Sequence, residues 1–453
     1  GATKAVIAAA LAWLLLRRGP AAPCWALMGL SVLILCAATL TTHAVARLDD
    51  RTVLFAATWL HQAGAAIWIG GLPSFLRAIY LAPDNRAAAV IGARYSRISM
   101  LGVACILISA VILAVHYIGD LQGFYGTAYG VMVSAKIALF LMLLGLGGMN
   151  FLLVRRAQGR PEASFNRLSR FAEVEVFIGV AVFFAAASLT SVPPAVDLGA
   201  DRVTMAEIID RNTPTVPRLV SPDHDTLALP ALQQRLDDEA ARRQQAAPMA
   251  FVPGAGDLPP RNAADIAWSE YNHHWAGLFV VAIGLLALLS QAGYRWARHW
   301  PVGFVGLAAF IFIRSDPESW PLGSIGFWEG LRDVEVLQHR AYVFLILGFA
   351  WFEWRVRQSD RPGKIALVFP LLCTLGGILL LTHTHAIANV REQLLIEITH
   401  TPLALAGIVA GCARWLELRL DPIAHPLAWR IAGWVWPVCL VLAGLILLVY
   451  REA

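Results

Sequence analysis

Histidine is the residue type through which this sequence could do chemistry. His43 lies in TTHA, His61 opens HQAGAAIWIGG, His383 and His385 lie in THTHA, and His400 closes LLIEITH. Each stands in or beside an apolar run, where an ionisable side chain is costly and is a functional candidate by default. Neutral imidazole ligates copper, zinc and haem iron, so histidines brought together there would hold a metal or a haem. The competing reading for each is a hydrogen bond to a neighbouring helix.

The elements that must position them follow from composition. The 453 residues are 58% hydrophobic and 15% charged, far more apolar than soluble domains. The expected fold is all-α, a polytopic integral membrane helical bundle. Apolar runs of about 20 residues read as spans at 24–44, 52–76, 97–118, 128–153, 172–191, 273–292, 301–314, 336–354, 364–386, 394–413 and 428–450. A short run at 5–16, in a chain starting at Gly1, reads as the end of a longer first helix, for about twelve transmembrane helices in two six-helix halves.

Arg and Lys concentrate on alternate connections, with Arg17, Arg77, Arg94, Arg155, Arg170, Arg295, Arg357, Lys364, Arg414 and Arg419 on one side. Basic residues are retained in cytoplasmic loops, which predicts the bacterial inner membrane topology with both termini periplasmic. The net charge of +5 is then mostly a topology signal, and no basic and aromatic patch argues for nucleic acid. The expected division is a six-helix domain over 1–195, a periplasmic proline-rich linker or cap over 196–270 with a surface helix at ALQQRLDDEAARRQQAA, and a second six-helix domain over 271–453.

That topology puts ten of the twelve histidines at the outer face or in the outer half of a helix, leaving only His299 and His425 inside. His43 lies roughly 9 Å and His61 roughly 15 Å below the hairpin between them by helical rise. His385 and His400 flank NVREQ at similar depth, so two hairpins each bring histidines together. His61, Gly64, Ala65, Trp68 and Leu72 share a stripe, as do His400, Ala404, Gly407 and Gly411. Small residues there admit a neighbouring helix, which points the histidine into the bundle.

Other candidates are weaker. His383 faces away from His385 in a regular helix. His273 and His274, at the outer mouth of a helix, read either as capture ligands or as interfacial polar residues. His339 has Asp333 and Glu335 one to two turns away to orient its ring. Lys136 either snorkels to the surface or holds an anion such as a haem propionate, for which Arg340 is a second candidate. Glu173 and Glu175 read as interfacial. The six cysteines form no C-x-x-C pair and read as packing residues, Cys373 excepted as one to watch. No H-E-x-x-H, G-x-S-x-G or phosphate loop supports a hydrolase.

The ordered set TTHA at 41–44, HQAGAAIWIGG at 61–71, RYSRISMLGVACILISAVI at 94–112, GTAYGVMVSAKIALF at 126–140 and AEVEVFIGVAVFFAAASLTSVPPA at 172–195 resembles the copper resistance protein D family. The resemblance covers about residues 25–195 and supports His43, His61, Trp68 and Lys136; Thr42 stands where the family often has glycine. It implies copper as the ligand, moved across the inner membrane or passed to a periplasmic copper-binding protein. The second half looks like an extension found in longer relatives.

Two functional classes follow. In one, the outer histidines receive copper, with capture at His273 and His274 and transfer to His43, His61, His385 and His400. In the other, the same four residues are axial ligands of haem b in a membrane electron-transfer protein, a possible cupric reductase or quinol oxidase. Membrane lipids and the copper ion are the remaining expected partners.

Overall fold

The computed structural model describes residues 2–19, 23–157, 165–199, 201–227, 263–359, 363–382 and 390–452. Among them the chain is all-helical with no strand. The helices are α1 (Ala2–Arg18), α2 (Cys24–Thr39), α3 (His43–Ala46), α4 (Arg51–Trp68), α5 (Leu72–Tyr80), α6 (Asn85–Tyr117), α7 (Leu121–Tyr125), α8 (Ala128–Ala157) and α9 (Asn166–Ser188). After these come α10 (Met205–Asn212), α11 (Ala263–Gln291), α12 (Gly303–Arg314), α13 (Phe327–Gly330), α14 (Val334–Gln358), α15 (Val368–Leu380), α16 (Val390–Arg419) and α17 (Pro426–Leu448). Among the described residues nine helical segments are long and apolar enough to cross a membrane. The other three expected spans are helical too, but α1 and α2 are shorter and α14 carries Glu335, Arg340, Glu353, Arg355 and Arg357.

Three boundaries differ from the apolar runs. The second helix stops at Thr39 rather than running to residue 44, because Thr39, Thr41 and Thr42 turn their hydroxyls back onto the carbonyls of Leu35, Ala38 and Thr39. Such side-chain bonds compete with the helix, and His43 consequently opens the separate turn α3. Helix α6 begins at Asn85, where Asp84 caps it by accepting from the Ala87 amide at 2.7 Å, so Arg86, Arg94 and Arg97 are helical rather than in a loop. Helix α11 begins at Ala263. His273 and His274 therefore lie about 15 Å inside the helix, not at its mouth.

The chain forms two compact units. The first comprises 1–121, 143–179 and 190–197; the second comprises 122–142, 180–189 and 198–453. In the first, α4 packs on α6 through Gly64 and Gly102: a methyl group on Gly64 would sit 2.7 Å from the Gly102 carbonyl oxygen. Only hydrogen at both positions permits that approach.

In the second unit, α11 crosses α17 at Gly277 and Gly444, where an added methyl on either would lie under 3 Å from backbone. Its core gathers Trp300, Phe304, Phe369, Cys373, Trp436 and Cys439. Part of the expected linker is helical: α10 starts in a capping box, with the Glu207 amide donating to the Thr204 hydroxyl and the Thr204 amide donating to the Glu207 carboxylate. The T-x-x-E spacing was the available signal for this helix. The surface helix expected over 231–247 lies outside the described residues.

Candidate metal centre

In the second unit two expected ligands from separate helices approach each other. The rings of His273 on α11 and His400 on α16 lie 5.9 Å apart, centre to centre, at 82°. Tyr450, just beyond α17, stacks on His273 at 3.9 Å and meets His400 edge-on at 6.2 Å. His273 donates its Nδ1 hydrogen to the Ser269 carbonyl at 2.9 Å, which places the ring's lone pair on Nε2. Imidazole bonds of about 2.0–2.1 Å to a metal, plus about 1.1 Å from nitrogen to ring centre, let two rings share one ion at separations up to about 6.4 Å. The observed separation is within that limit.

The aromatic wall is itself held. Glu452 accepts from the Tyr450 hydroxyl and, at 2.6 Å, from Ser269 on α11. The chain after α17 thus folds back over the pair.

His274, adjacent in sequence, plays a different part. Its Nδ1 accepts from the Arg218 amide at 2.7 Å and its Nε2 donates to the Tyr450 carbonyl at 2.9 Å. A neutral imidazole has one donor and one acceptor, so both are spent on backbone. At 2% exposure, His274 clamps two chain segments and has no nitrogen left for a capture site.

In the first unit, His61 and His43 both reach α6. His61 Nδ1 lies 3.1 Å from the Ser109 hydroxyl, whose own proton goes to the Cys105 carbonyl at 2.6 Å. The serine oxygen is therefore the acceptor and the His61 lone pair is on Nε2. His43 meets the ring of Tyr117 edge-on at 6.4 Å, eight residues further along the same helix. The Arg47 guanidinium lies over the Tyr117 ring, 5.6 Å from its centre, and pairs with Asp197 at 2.5 Å.

His339 is oriented by a carboxylate, though not by those its own helix offered. Asp333 caps α14, accepting from the Glu335 and Val336 amides. The ring instead donates from Nδ1 to Asp316 at 2.7 Å, from the connection after α12. A carboxylate behind an imidazole raises its basicity as a ligand. Around it, burial pushes the Glu318 carboxyl up to about 7, reinforced by the negative charges of Asp316, Glu335 and Asp333.

Arg340 is committed to that same connection. It donates to the carbonyls of Phe312 and Trp320 and lies 3.7 Å from Asp316, so it is already charge-paired and bonded within the chain. Lys136 lies within α8, and among the described residues no carboxylate pairs with it. His383 and His385 lie outside the described residues, so the hairpin pairing of His385 with His400 is not described. Among the described residues no three His, Cys, Asp or Glu side chains are grouped to hold a metal.

One network escaped the sequence reading. Arg414 bridges Glu353 at 2.9 Å and Glu417 at 2.7 Å, and Arg357 pairs with Glu353 at 2.9 Å. Trp436 and Gln291 donate to Glu417 at 2.8 and 2.6 Å. The i,i+4 pair Glu353–Arg357 and the i,i+3 pair Arg414–Glu417 were visible as helix pairs. Arg357 and Arg414, read from the sequence as topology signals, are thus bound up in a buried network. Glu173 and Glu175, expected at the interface, are also buried, at 6% and 2% exposure.

Residues 89–189 match the family described as copper resistance protein D. His43 and His61 precede the matched stretch, while Lys136, Glu173 and Glu175 fall within it. The chain is 31% identical over 163 residues to the copper transport protein CutJ of Bacillus subtilis (strain 168), an overlap of 35% of this chain and 29% of that relative. The chain thus spans about 29% of the length of the curated relative it matches. No solved structure matches it. Over residues 89–189, from within α6 to the residue after α9, the first half of this membrane protein is therefore similar to the copper resistance protein D family.

Proposed function

We propose that the protein handles copper in the bacterial inner membrane, binding the ion through histidines on the periplasmic side and moving it across or delivering it to a periplasmic copper-binding protein. In this reading about twelve spans form two six-helix halves, joined by the 196–270 connection, with both termini periplasmic. The observation that carries the binding step is the approach of His273 and His400 to 5.9 Å from separate helices. Imidazole serves copper in both oxidation states, and a two-ligand arrangement suits the monovalent ion, which accepts low coordination numbers.

The family match supports copper over other imidazole-binding metals. His61 and His339, each hydrogen-bonded through Nδ1, are candidates for further steps, as are His43, His383 and His385. His274 is left out, because both its nitrogens hold backbone. For haem b, Arg340, one of the two expected propionate contacts, already donates to two carbonyls of its own chain.

The test is titration of the purified full chain with copper(I) against a competing chelator, for wild type, His273→Ala and His400→Ala. Each variant should bind more than about 100-fold more weakly, beyond the 10–100-fold typical of losing a ligand's supporting contact. Unchanged affinity in both variants overturns the assignment. A b-type haem spectrum in the dithionite-reduced protein would replace copper with electron transfer.

A further inference from the structure

Two glutamates on α9 stand two residues apart in opposite circumstances. Glu173 is balanced: Arg170 donates to it at 2.5 Å, and the Tyr80 hydroxyl on α5 donates to it as well. Glu175, at 2% exposure, has one hydrogen bond among the described residues, from Nδ2 of Asn150 on α8 at 2.5 Å.

The groups packed around Glu175 carry no compensating charge. Tyr95 on α6 is the titratable neighbour, and its hydroxyl donates to the Trp68 carbonyl at 2.5 Å. From α4 comes the Trp68 ring, which borders Gly147 on α8 together with the Glu175 carboxylate. On its own helix the nearest charges are Glu173 and Arg170, already paired with each other. Among the described residues no Lys, Arg or His pairs with Glu175. A buried carboxylate without a counter-charge must be neutralised by a proton or joined by a cation.

The polar atoms nearby favour the proton. Asn150 Oδ1 has no hydrogen-bond partner among the described residues, although Asn150 is 7% exposed. The Asn150 amide can serve both forms of Glu175. Its Nδ2 donates to the carboxylate, and its unpartnered Oδ1 is an acceptor for the O–H of the carboxylic acid. A metal ion would need several ligands, and no group of three is present among the described residues.

We propose that Glu175 and Asn150 form a membrane-buried proton-binding site within the family segment, at which the carboxylate takes one proton from water and returns it to water. A buried intramembrane carboxyl of this kind is the working part of a proton relay. The site goes beyond the copper reading and does not depend on it.

The experiment uses the full chain in liposomes treated with dicyclohexylcarbodiimide, an apolar reagent that couples to the protonated carboxyl, with adducts located by mass spectrometry between pH 6 and 9. Glu175 should be labelled, with a rate falling about tenfold per pH unit once the carboxylate form dominates. Glu173, paired with Arg170, is the internal control and should stay unmodified. Glu175→Gln should remove the adduct while leaving copper affinity at wild-type level, which separates this inference from the binding assignment. Asn150→Leu should move the pH at which labelling falls. No adduct at Glu175 in folded, monodisperse protein, or labelling that does not vary with pH, overturns the proposal.

Discussion

Arg414 donates to Glu353 across 2.9 Å, from a helix 61 residues further along the chain, and the carboxylate it meets is 0% exposed. Removing one partner of a buried ion pair leaves the other charge uncompensated, at a cost of about 3–5 kcal/mol. Arg414→Gln should therefore lower the thermal midpoint of the detergent-solubilised protein by several degrees. An unchanged midpoint would show that the network contributes nothing to stability.

His274 separates structure from binding. Replacing it with Leu orphans the buried Tyr450 carbonyl, at about 1–3 kcal/mol, and releases the Arg218 amide. The variant should unfold earlier, yet bind the wild-type amount of copper per folded molecule. A selective loss of copper, with stability intact, would return His274 to the ligand set.

Gly64→Val forces α4 from α6, since even a methyl there would lie 2.7 Å from the Gly102 carbonyl. Overpacking of this kind costs about 1–3 kcal/mol. It should also break the 3.1 Å contact between His61 and Ser109. Cross-linking between cysteines introduced on the two helices would report the separation, and wild-type cross-linking efficiency would refute it.

The connection after α12 should be pH-sensitive. Glu318 has a folded value of about 7 against an ordinary value of 4.5. The folded form therefore binds more protons than the unfolded one between these limits, so its contribution to stability is greatest below about 4.5 and is lost as pH rises through 7. Proteolytic cleavage within 315–333 should accelerate over that window in wild type and flatten in Glu318→Gln. Identical pH profiles for the two proteins would exclude Glu318 as the cause.

Asp316→Asn tests the orientation of His339 directly. The amide can still accept a hydrogen bond but carries no charge, so if His339 serves copper, affinity at that position should fall about 10–100-fold. Copper titration at a His273→Ala background isolates the effect, and an unaltered isotherm would remove His339 from the set.

Much of the architecture was legible in the residues because a membrane imposes a strong rule. Backbone groups in lipid must be bonded internally, so long apolar runs had to be helices, and those from α4 to α17 are. The small-residue stripe beside His61 was also readable, and Gly64 lies at the α4–α6 contact as its spacing implied. Boundaries were less legible where side chains decided them: the threonines that end α2, the aspartate that starts α6 and the early start of α11 are local hydrogen-bonding choices that hydropathy does not register.

Sequence by itself determined the all-helical membrane class, the apolar setting of His61 and His400 and the family resemblance of the first half, since each rests on composition, period and motif order. Tertiary structure decided which of those histidines meet, that His273 faces His400 while His274 is spent on backbone, and that Asp316 stands behind His339. It also decided that Glu173 meets Arg170 while Glu175, among the described residues, meets only the neutral amide of Asn150. Helical spacing sets a residue's depth and face, but which other helix covers that face depends on packing between segments far apart in the chain.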